Sequence, residues 1–363
     1  MPKRKGFLYA WMCDRGRIRQ AMHKAAQHKR TRSDVKAALA REDHCVEGIY
    51  QMLTERTYTP GAPKRRTIYD QSSRKERVIE YVRFYPDAII QTLIIMAMDA
   101  AGHTLTKGMY PWCCASVPGR GSAAARKYTK RVIRNDPKGT RYVCKMDIHH
   151  YFHSVDRDIL MDQLERRIKD RAFLSLVRAV LDTCVEGLAI GYYVCQWFAN
   201  YYLEGLDRFI VGLDGVRHYV RYMDDIVLFG SNKRKLRRAR EAIADYLITR
   251  LRLCMKGNWQ IWPLHKRPLD FVGNKFYRDR TTLRRHNYLR LKRQAAKIRK
   301  RQEQGRGIPY MMAAGFISRV GMLKHCDGRT IFKRYVEPVG VGKVKEVIRN
   351  ESKRRSAAGC AEG

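Results

Sequence analysis

The sequence predicts an α+β fold, because short strand-like runs are scattered among helical segments without regular alternation. Apolar residues make up 45% of the 363 residues, which is enough for a folded body of one to three domains. Apolar positions recur at helical spacing in residues 123–134 and 157–182, whereas residues 142–148, 219–223 and 226–229 are strand-like.

The first hundred residues predict helices, then a pair of strands, then a helix. Residues 1–60 are charged and helical in pattern, until Pro60, Gly61 and Pro63 break the pattern. Two extended runs follow, separated by a polar turn, and the next helix begins near Asp87, behind Pro86. The extended runs are residues 64–69 and 77–82, the turn is 71–75, and the inner face of the helix carries Ile89, Ile90, Leu93, Ile94 and Ala97.

The last third of the chain is strongly basic. A helical segment over residues 194–210 is best explained by core packing of its aromatic side. Residues 284–301 then contain nine Lys or Arg and no acid, which predicts a helix with a positive face. From Val341 onward the sequence is typical of a frayed basic tail.

The charge points to a polyanionic partner. Lys and Arg number 74 against 35 Asp and Glu, so the net charge is +39. Nucleic acid is the first candidate, because neutralised phosphates release counterions, and an anionic membrane surface is the second. The ten cysteines form no C-x-x-C pair, and no stretch is long enough for a signal peptide or a membrane span. We therefore expect a cytoplasmic protein without a zinc ribbon, a disulfide framework or a membrane contact.

Two adjacent acids, Asp224 and Asp225, lie between two strand-like halves. Asp disfavours strand interiors and suits tight turns, so we expect a β-hairpin that presents both carboxylates at its tip. A solvated turn is one explanation of such a pair. The other is a bound divalent metal, which compensates two like charges that would otherwise raise each other's pKa.

A third acid favours the metal. Asp147 also ends a strand-like run, and if the two strands are neighbours it faces Asp224. Such a pair is able to bridge two metal ions roughly 3.5–4 Å apart, the arrangement that polymerases use for phosphoryl transfer. Oxygen ligands suit Mg²⁺, with Mn²⁺ as the alternative, and do not suit zinc.

Several short motifs in a fixed order resemble those of reverse transcriptases. They extend over about 200 residues, and their order carries more weight than any one of them. The motifs are residues 75–79, 116–121, Asp147 with 151–154, 190–196, 222–225 and 269–276.

The resemblance implies a right-hand polymerase fold with fingers, palm and thumb. Asp147, Asp224 and Asp225 would be catalytic, and together with Ile148 they would form the site for two Mg²⁺ ions. The expected divisions are a basic helical N-terminal extension (1–60), fingers with part of the palm (61–140), palm (141–278), thumb (279–340) and basic tail (341–363).

The resemblance also implies which residues contact the substrates, namely dNTPs, an RNA template and the RNA/DNA duplex. Lys75 and Arg77 would hold the triphosphate, Phe152 would exclude a 2′-hydroxyl, and core packing is the alternative for Phe152. Ile190 and Gln196 complete the expected nucleotide-binding set. The expected nucleic-acid contacts are Arg120, Tyr222, Met223, Arg284, Arg285, Lys292 and Arg293.

The motif from Ile190 to Gln196 resembles the enzymes of diversity-generating retroelements, of the group II intron-like lineage. Most reverse transcriptases have Gln-Gly before Ser-Pro there; this subgroup replaces the first Gln by an aliphatic residue and copies a template-repeat RNA with errors opposite adenine. Cys195 departs from the subgroup, which usually has Ser.

The resemblance implies a compact standalone enzyme, bacterial or phage-encoded, with a structured RNA and a small oligomeric helical-bundle accessory protein. Two alternatives stay open: a phage-defence reverse transcriptase working with a noncoding RNA, and a catalytically silent RNA-binding scaffold.

Overall fold

The computed structural model describes residues 4–70 and 75–361 and divides into two compact units. Unit 1 comprises residues up to 121, 144–228 and 234–260, and unit 2 comprises 122–143, 229–233 and the residues from 261 onward. Within the described residues, no helix combines the length and apolar character needed to cross a membrane.

Helices and short strands alternate irregularly along the chain, as the sequence predicts. The first twelve helices are α1 (Leu8–Met12), α2 (Arg15–Ala26), α3 (Ser33–Ala40), α4 (Glu42–Thr54), α5 (Ile89–Ala100), α6 (Gly121–Asn135), α7 (Tyr151–Ser154), α8 (Arg157–Glu165), α9 (Arg171–Asp182), α10 (Tyr193–Tyr202), α11 (Glu204–Val211) and α12 (Lys233–Leu251). The last four are α13 (Arg285–Glu303), α14 (Tyr310–Met322), α15 (Arg329–Ile331) and α16 (Val341–Ala361). A π-helical turn at Phe84–Ala88 leads into α5, and further π or 3₁₀ turns are Leu323–His325, Phe332–Val336 and Glu337–Val339.

The strands form three sheets. The strands are β1 (Lys64–Asp70), β2 (Lys75–Tyr81), β3 (Tyr142–Asp147), β4 (His218–Tyr222), β5 (Asp225–Gly230), β6 (Gln260–Pro263), β7 (Leu269–Phe271), β8 (Asn274–Phe276) and β9 (Thr281–Leu283). β1 and β2 pair antiparallel from Lys64 opposite Tyr81 to Asp70 opposite Lys75. The second sheet has the order β4-β5-β3-β6, and the third has the order β7-β8-β9. The predicted turn at 71–75 lies outside the described residues except for Lys75, which begins β2.

Helix α5 is the centre of the core of unit 1. The sequence predicts one inner face, but Gln91, Thr92, Ile95 and Met98 are buried together with the predicted apolar residues. The reason is that α1, α2 and α10 pack around the helix. The buried Gln91 accepts a hydrogen bond from the Tyr193 backbone N–H at 3.0 Å, so its polar side chain is satisfied inside this core.

Helices α13, α14 and α16 share one apolar core in unit 2. Leu291, Ala295 and Ile298 form the buried stripe of α13, and its basic residues lie on the other sides. The positive face predicted for this segment is therefore confirmed. The expectation of a frayed tail from Val341 is wrong, because α16 is a helix whose Val344 is fully buried in the same core. Val347 and Ile348, one turn further on, pack against it.

Candidate active site

The acidic pair lies at the tip of a β-hairpin, as predicted. β4 ends at Tyr222 and β5 begins at Asp225, so Met223 and Asp224 form a two-residue turn. Met223 has a φ of 58°, in the left-handed region that two-residue hairpin turns require. The turn is tight enough to place Asp224 and Asp225 next to each other at the same end of the strands.

Asp147 ends β3, which lies next to β5 in the sheet. The carboxyl groups of Asp147 and Asp224 are close enough to interact. Burial of the Asp224 side chain and, second, the neighbouring charge of Asp147 raise the pKa of Asp224 to about 7 from its ordinary value of 3.8. The structure therefore brings together the two acids that the sequence predicts as neighbours.

Two lysines approach these carboxylates. Lys256 Nζ lies 2.6 Å from Asp147 Oδ1, and Lys145 Nζ lies 3.1 Å from Asp225 Oδ2. Lys145 is two residues before Asp147 on the same strand, so the two side chains share a face of the sheet. The Asp147 carbonyl accepts a hydrogen bond from the Lys256 N–H at 2.8 Å, which fixes the segment carrying this lysine beside the end of β3.

The chemistry of these carboxylates is suited to binding a hard divalent cation. Two acids held close together, one with a raised pKa, gain from any cation that neutralises both, and carboxylate oxygens are the ligands Mg²⁺ prefers. Across residues 4–70 and 75–361, however, no three His, Cys, Asp or Glu side chains converge as a metal site. Asp225 is directed to Lys145 instead, so the roles of Asp225 and Ile148 as metal ligands stay predictions.

Ile148 follows Asp147 directly, and its side chain is buried. It pairs with Met255 in an isolated antiparallel bridge, and the neighbouring His149 N–H donates to the Cys254 carbonyl at 2.8 Å. The backbone after Asp147 is therefore held by the segment that also carries Lys256. Only the Ile148 main chain is polar, so a ligand from this residue would be its carbonyl oxygen.

A buried ion pair lies beneath the turn that carries Asp224. Arg221 and Asp207 are both fully buried, and the guanidinium donates from Nε at 2.7 Å and from Nη2 at 2.6 Å to the two carboxylate oxygens. Its Nη1 donates to the Met223 carbonyl at 3.0 Å and to Asn200 Oδ1 at 3.2 Å. The Tyr219 hydroxyl adds a 2.6 Å hydrogen bond to Asp207. Arg221 therefore ties the left-handed residue of the turn to the core.

The main chain of Arg221 also anchors the loop before α6. Its N–H donates to the Trp112 carbonyl at 3.1 Å, and its carbonyl accepts from the Cys114 N–H at 3.0 Å. In that loop, Arg120 Nη1 donates to the carbonyls of Tyr110 and Cys113 at 2.7 and 3.1 Å. The predicted template contact of Arg120 thus stays a prediction, and its observed partners are backbone carbonyls.

Two of the predicted nucleotide-binding residues, Phe152 and Ile190, lie at one loop. The Leu188 N–H donates to the Phe152 carbonyl at 2.7 Å, which holds the loop against α7 two residues before Ile190. Gly187 has a φ of 47°, and a Cβ there would lie 2.4 Å from the Phe152 oxygen. The loop accordingly needs glycine at this point to approach Phe152.

The same loop lies against strand β2. A Cβ on Gly191 would lie 2.0 Å from the Glu80 carbonyl oxygen. Only glycine therefore fits at position 191, directly after Ile190, where the loop contacts this strand. Arg77 is exposed on β2, three residues before Glu80. The structure thus connects the elements that carry Phe152, Ile190 and Arg77.

The remaining predicted residues are more scattered. Gln196 is exposed on the first turn of α10, and the side chain of Lys75 lies outside the described part of the structure. Tyr222 and Met223 belong to the hairpin of β4 and β5 and are partly buried. Arg284 precedes α13 and forms an ion pair with Asp270, and Arg285, Lys292 and Arg293 are exposed on α13. Their contacts with nucleic acid stay predictions.

The sequence reasoning missed Lys145, Lys256 and the Arg221–Asp207 pair. The position of Lys145, two residues before Asp147 on the same strand, indicates that both side chains lie on one face of the sheet. This position could have identified Lys145 as a site residue. For Lys256, which lies 109 residues after its partner, and for Asp207 the sequence offers no such signal, because both depend on long-range contacts.

Residues 91–256 match the family model "Reverse transcriptase (RNA-dependent DNA polymerase)". The chain contains a reverse transcriptase domain. The match covers the acidic hairpin, β3 and the loop at Ile190. Together with the mixture of helices and antiparallel sheets, it confirms the expected α+β right-hand polymerase fold and, for this domain, the RNA-directed DNA polymerase class.

Two similar proteins are themselves uncharacterized. An uncharacterized mitochondrial protein, ymf11 of Marchantia polymorpha, is 32% identical over 96 residues, which are 26% of this chain and 13% of that protein. An uncharacterized 91 kDa protein in the cob intron of Schizosaccharomyces pombe is 28% identical over 184 residues, 46% of this chain and 21% of that protein. The chain thus aligns with only a small part of either relative.

Among solved structures, apo telomerase from Candida tropicalis is similar, with a TM-score of 0.47 and 10% identity over 61% of this chain and 48% of that chain. Telomerase from Candida albicans, solved with a telomeric RNA fragment, has a TM-score of 0.43 and 12% identity over 60% of this chain and 44% of that chain. None of these names refers to a diversity-generating retroelement or to a bacterial or phage source.

Proposed function

We propose that this chain is an RNA-directed DNA polymerase that extends a DNA 3′ end on an RNA template. The observation that carries the proposal is the pairing of Asp147 and Asp224 at the ends of neighbouring strands, inside the matched domain. Two Mg²⁺ ions, or Mn²⁺, held by these acids with Asp225 and the Ile148 carbonyl, would lower the pKa of the primer hydroxyl and neutralise the leaving pyrophosphate.

The chain's own residues position this chemistry. Arg221 holds the turn that carries Asp224 in one conformation through its bond to the Met223 carbonyl. Lys256 and Lys145 orient Asp147 and Asp225 by direct ion pairs and keep the local charge balanced. Arg77, and Lys75 on the same strand, would bind the triphosphate and stabilise the charge that develops as the phosphoryl group is transferred.

Phe152 and Ile190 would select the nucleotide. Phe152 lies beside the loop that approaches β2, where an aromatic ring against the sugar would exclude a 2′-hydroxyl and favour dNTPs. Ile190, on that loop, cannot donate or accept a side-chain hydrogen bond near the nascent base pair, whereas Gln could. Loss of one such bond weakens discrimination against a mispair.

On this basis we propose the finer role of an error-prone enzyme of a diversity-generating retroelement that makes adenine-mutagenised cDNA. Its partners would be a structured RNA of the element and a small oligomeric helical-bundle protein. A second candidate, an intron-encoded reverse transcriptase, is favoured by the name of the fission yeast relative.

The polymerase proposal is tested by incubating the purified chain with a DNA primer on an RNA template, dNTPs and Mg²⁺. We expect extension that requires all four components and that is much weaker with rNTPs. If the wild-type chain does not extend the primer, the polymerase proposal is wrong, and the RNA-binding scaffold is the remaining interpretation.

The error-prone role is tested by sequencing the cDNA. We expect errors concentrated opposite adenine, and we expect Ile190→Gln to lower them about 5- to 10-fold, the value of one hydrogen bond. Ile190→Leu is the matched control and should keep the wild-type error spectrum. Uniformly low errors in the wild type would instead favour the intron-encoded candidate, and an unchanged spectrum in Ile190→Gln would remove the physical account of this site.

A further inference from the structure

Exposed cations gather at the end of β4 that lies away from the carboxylates. Two separate segments supply them, one just before β4 and one in the first two turns of α12. A Cβ on Gly215 would lie 2.4 Å from Lys235 Cβ, so these segments are in contact. We define the distal basic surface by five exposed residues, which are Arg217, Arg234, Lys235, Arg237 and Arg238.

Little negative charge balances this surface. Asp214 pairs with Lys235 at 3.0 Å, but the first acid of α12 is Glu241, which pairs with Arg240. Among the residues that the structure describes, Arg237 and Arg238 have no acidic partner. Cations in the first turns of a helix also oppose the helix dipole, so this arrangement is unfavourable for the isolated protein. An anionic partner would remove that cost.

The distal basic surface is separate from the candidate active site. Arg217 precedes β4, and Asp224 follows its other end. Five residue steps between Arg217 and Tyr222, each with a rise of about 3.4 Å, place the two ends about 17 Å apart. A polyanion bound at the distal surface would therefore not occupy the position of the reacting groups.

The composition of the surface favours nucleic acid over a membrane. Leu236, Ala239 and Ile243 of α12 are buried in the core, and the first two turns expose no large apolar side chain for insertion between lipids. Four of the five exposed cations are arginines, whose planar fork matches the oxygens of a phosphate group. Several exposed guanidinium groups at the start of one protein helix match the closely spaced phosphates of a folded RNA.

We propose that the distal basic surface binds the phosphate backbone of a folded RNA, outside the template channel. It would anchor an RNA helix while a single-stranded part of that RNA, or another RNA, is copied. Such a contact would be additional to the template contact, and it does not depend on whether the chain polymerises DNA.

The test measures binding of a blunt RNA hairpin with a blocked 3′ end, in the presence of excess primer–template that cannot be extended. The full chain is compared with Arg237→Gln/Arg238→Gln. Because two phosphate contacts are lost, we expect the slope of log Kd against log salt to fall by about 2. From that slope, Kd should rise about 10- to 30-fold at 0.15 M salt. Extension of a short primed template should be unchanged.

The matched control is Arg171→Gln/Arg250→Gln, which removes the same charge from two other exposed arginines. It should bind the hairpin with nearly wild-type affinity. The proposal is overturned if the control loses as much affinity as the test variant, or if the test variant keeps the wild-type Kd and slope. It is also overturned if primer–template displaces the hairpin completely from the wild-type chain, which would indicate a single shared site.

Binding to vesicles that contain anionic lipids tests the alternative that the distal basic surface contacts a membrane. We expect the wild type and Arg237→Gln/Arg238→Gln to differ in hairpin binding and not in vesicle binding. If the variant instead loses vesicle binding while keeping RNA binding, the surface is a membrane contact and the RNA proposal is wrong.

Discussion

The two ends of β4 each have an ion pair, in opposite environments. At the end that we propose to be catalytic, Arg221 and Asp207 are fully buried, and their remaining hydrogen bonds are satisfied by Asn200, Tyr219 and the Met223 carbonyl. At the distal end, the side chains of Lys235 and Asp214 are 48% and 80% exposed. Burial fixes the geometry of the first pair, whereas solvent screens the second. The fold therefore imposes a single conformation beneath the turn that carries Asp224, and places no such constraint on the distal pair.

The largest expected effect is on activity at the catalytic end. Asp147→Asn should lower the rate of primer extension at least about 10³-fold, because it removes a charge that the metal ions and the transition state need. Single-nucleotide incorporation on a primed RNA template measures the change. Asp158→Asn, at an exposed acid of α8, is the control and should retain activity within about two-fold. Equal losses in the two variants would contradict the assignment.

Arg221→Met should have the largest effect on stability. It leaves Asp207 buried without its partner, which costs about 3–5 kcal/mol in the free energy of unfolding. Arg221→Met/Asp207→Leu removes both charges and should recover part of the loss. Unfolding by urea, followed by circular dichroism, measures each value.

The exposed pair provides the comparison for that prediction. Lys235→Met should change the free energy of unfolding by no more than about 1 kcal/mol. If Lys235→Met and Arg221→Met cost the same, burial does not distinguish the two ends of β4 as we infer.

A smaller effect concerns pH. The folded pKa of Asp224, about 7, lies above its ordinary value of 3.8, so between these values the folded chain holds a proton that the unfolded chain has released. Without divalent ions, the free energy of unfolding should therefore fall as pH rises from about 4 to 7. Asp224→Asn should make this fall shallower, as measured by urea unfolding at several pH values. A steeper or unchanged slope in the variant would contradict the burial of this carboxyl beside Asp147.

Much of the catalytic end could be predicted from the sequence, because its information is local. An Asp-Asp pair between two strand-like runs predicts a hairpin. The position of Asp147 directly after a strand-like run predicts that its carboxylate lies at the end of a strand. The partners of these acids could not be predicted in the same way. Lys256 and Asp207 reach the site through packing between distant segments, and a single sequence contains no periodicity that reports such contacts.

The fold likewise has some elements that the local sequence predicts and others that depend on distant contacts. The β1–β2 pair follows from two extended runs on either side of a polar turn, and helix α13 follows from the apolar stripe at Leu291, Ala295 and Ile298. The burial of α5 on all sides and the helix after Val341 depend on neighbouring elements. Basic residues outnumber acidic ones in α16, and only the position of Val344, Val347 and Ile348 at helical spacing signals that it packs into a core.

The most direct test of the central claim compares Asp224→Asn with Asp214→Asn, which remove one acid from each end of β4. The measurement is the rate of single-nucleotide addition to a DNA primer on an RNA template with Mg²⁺. We predict a loss of at least about 10³-fold for Asp224→Asn and a rate within about two-fold of wild type for Asp214→Asn. Extension by Asp224→Asn at the wild-type rate would contradict the assignment of the hairpin tip as the catalytic centre.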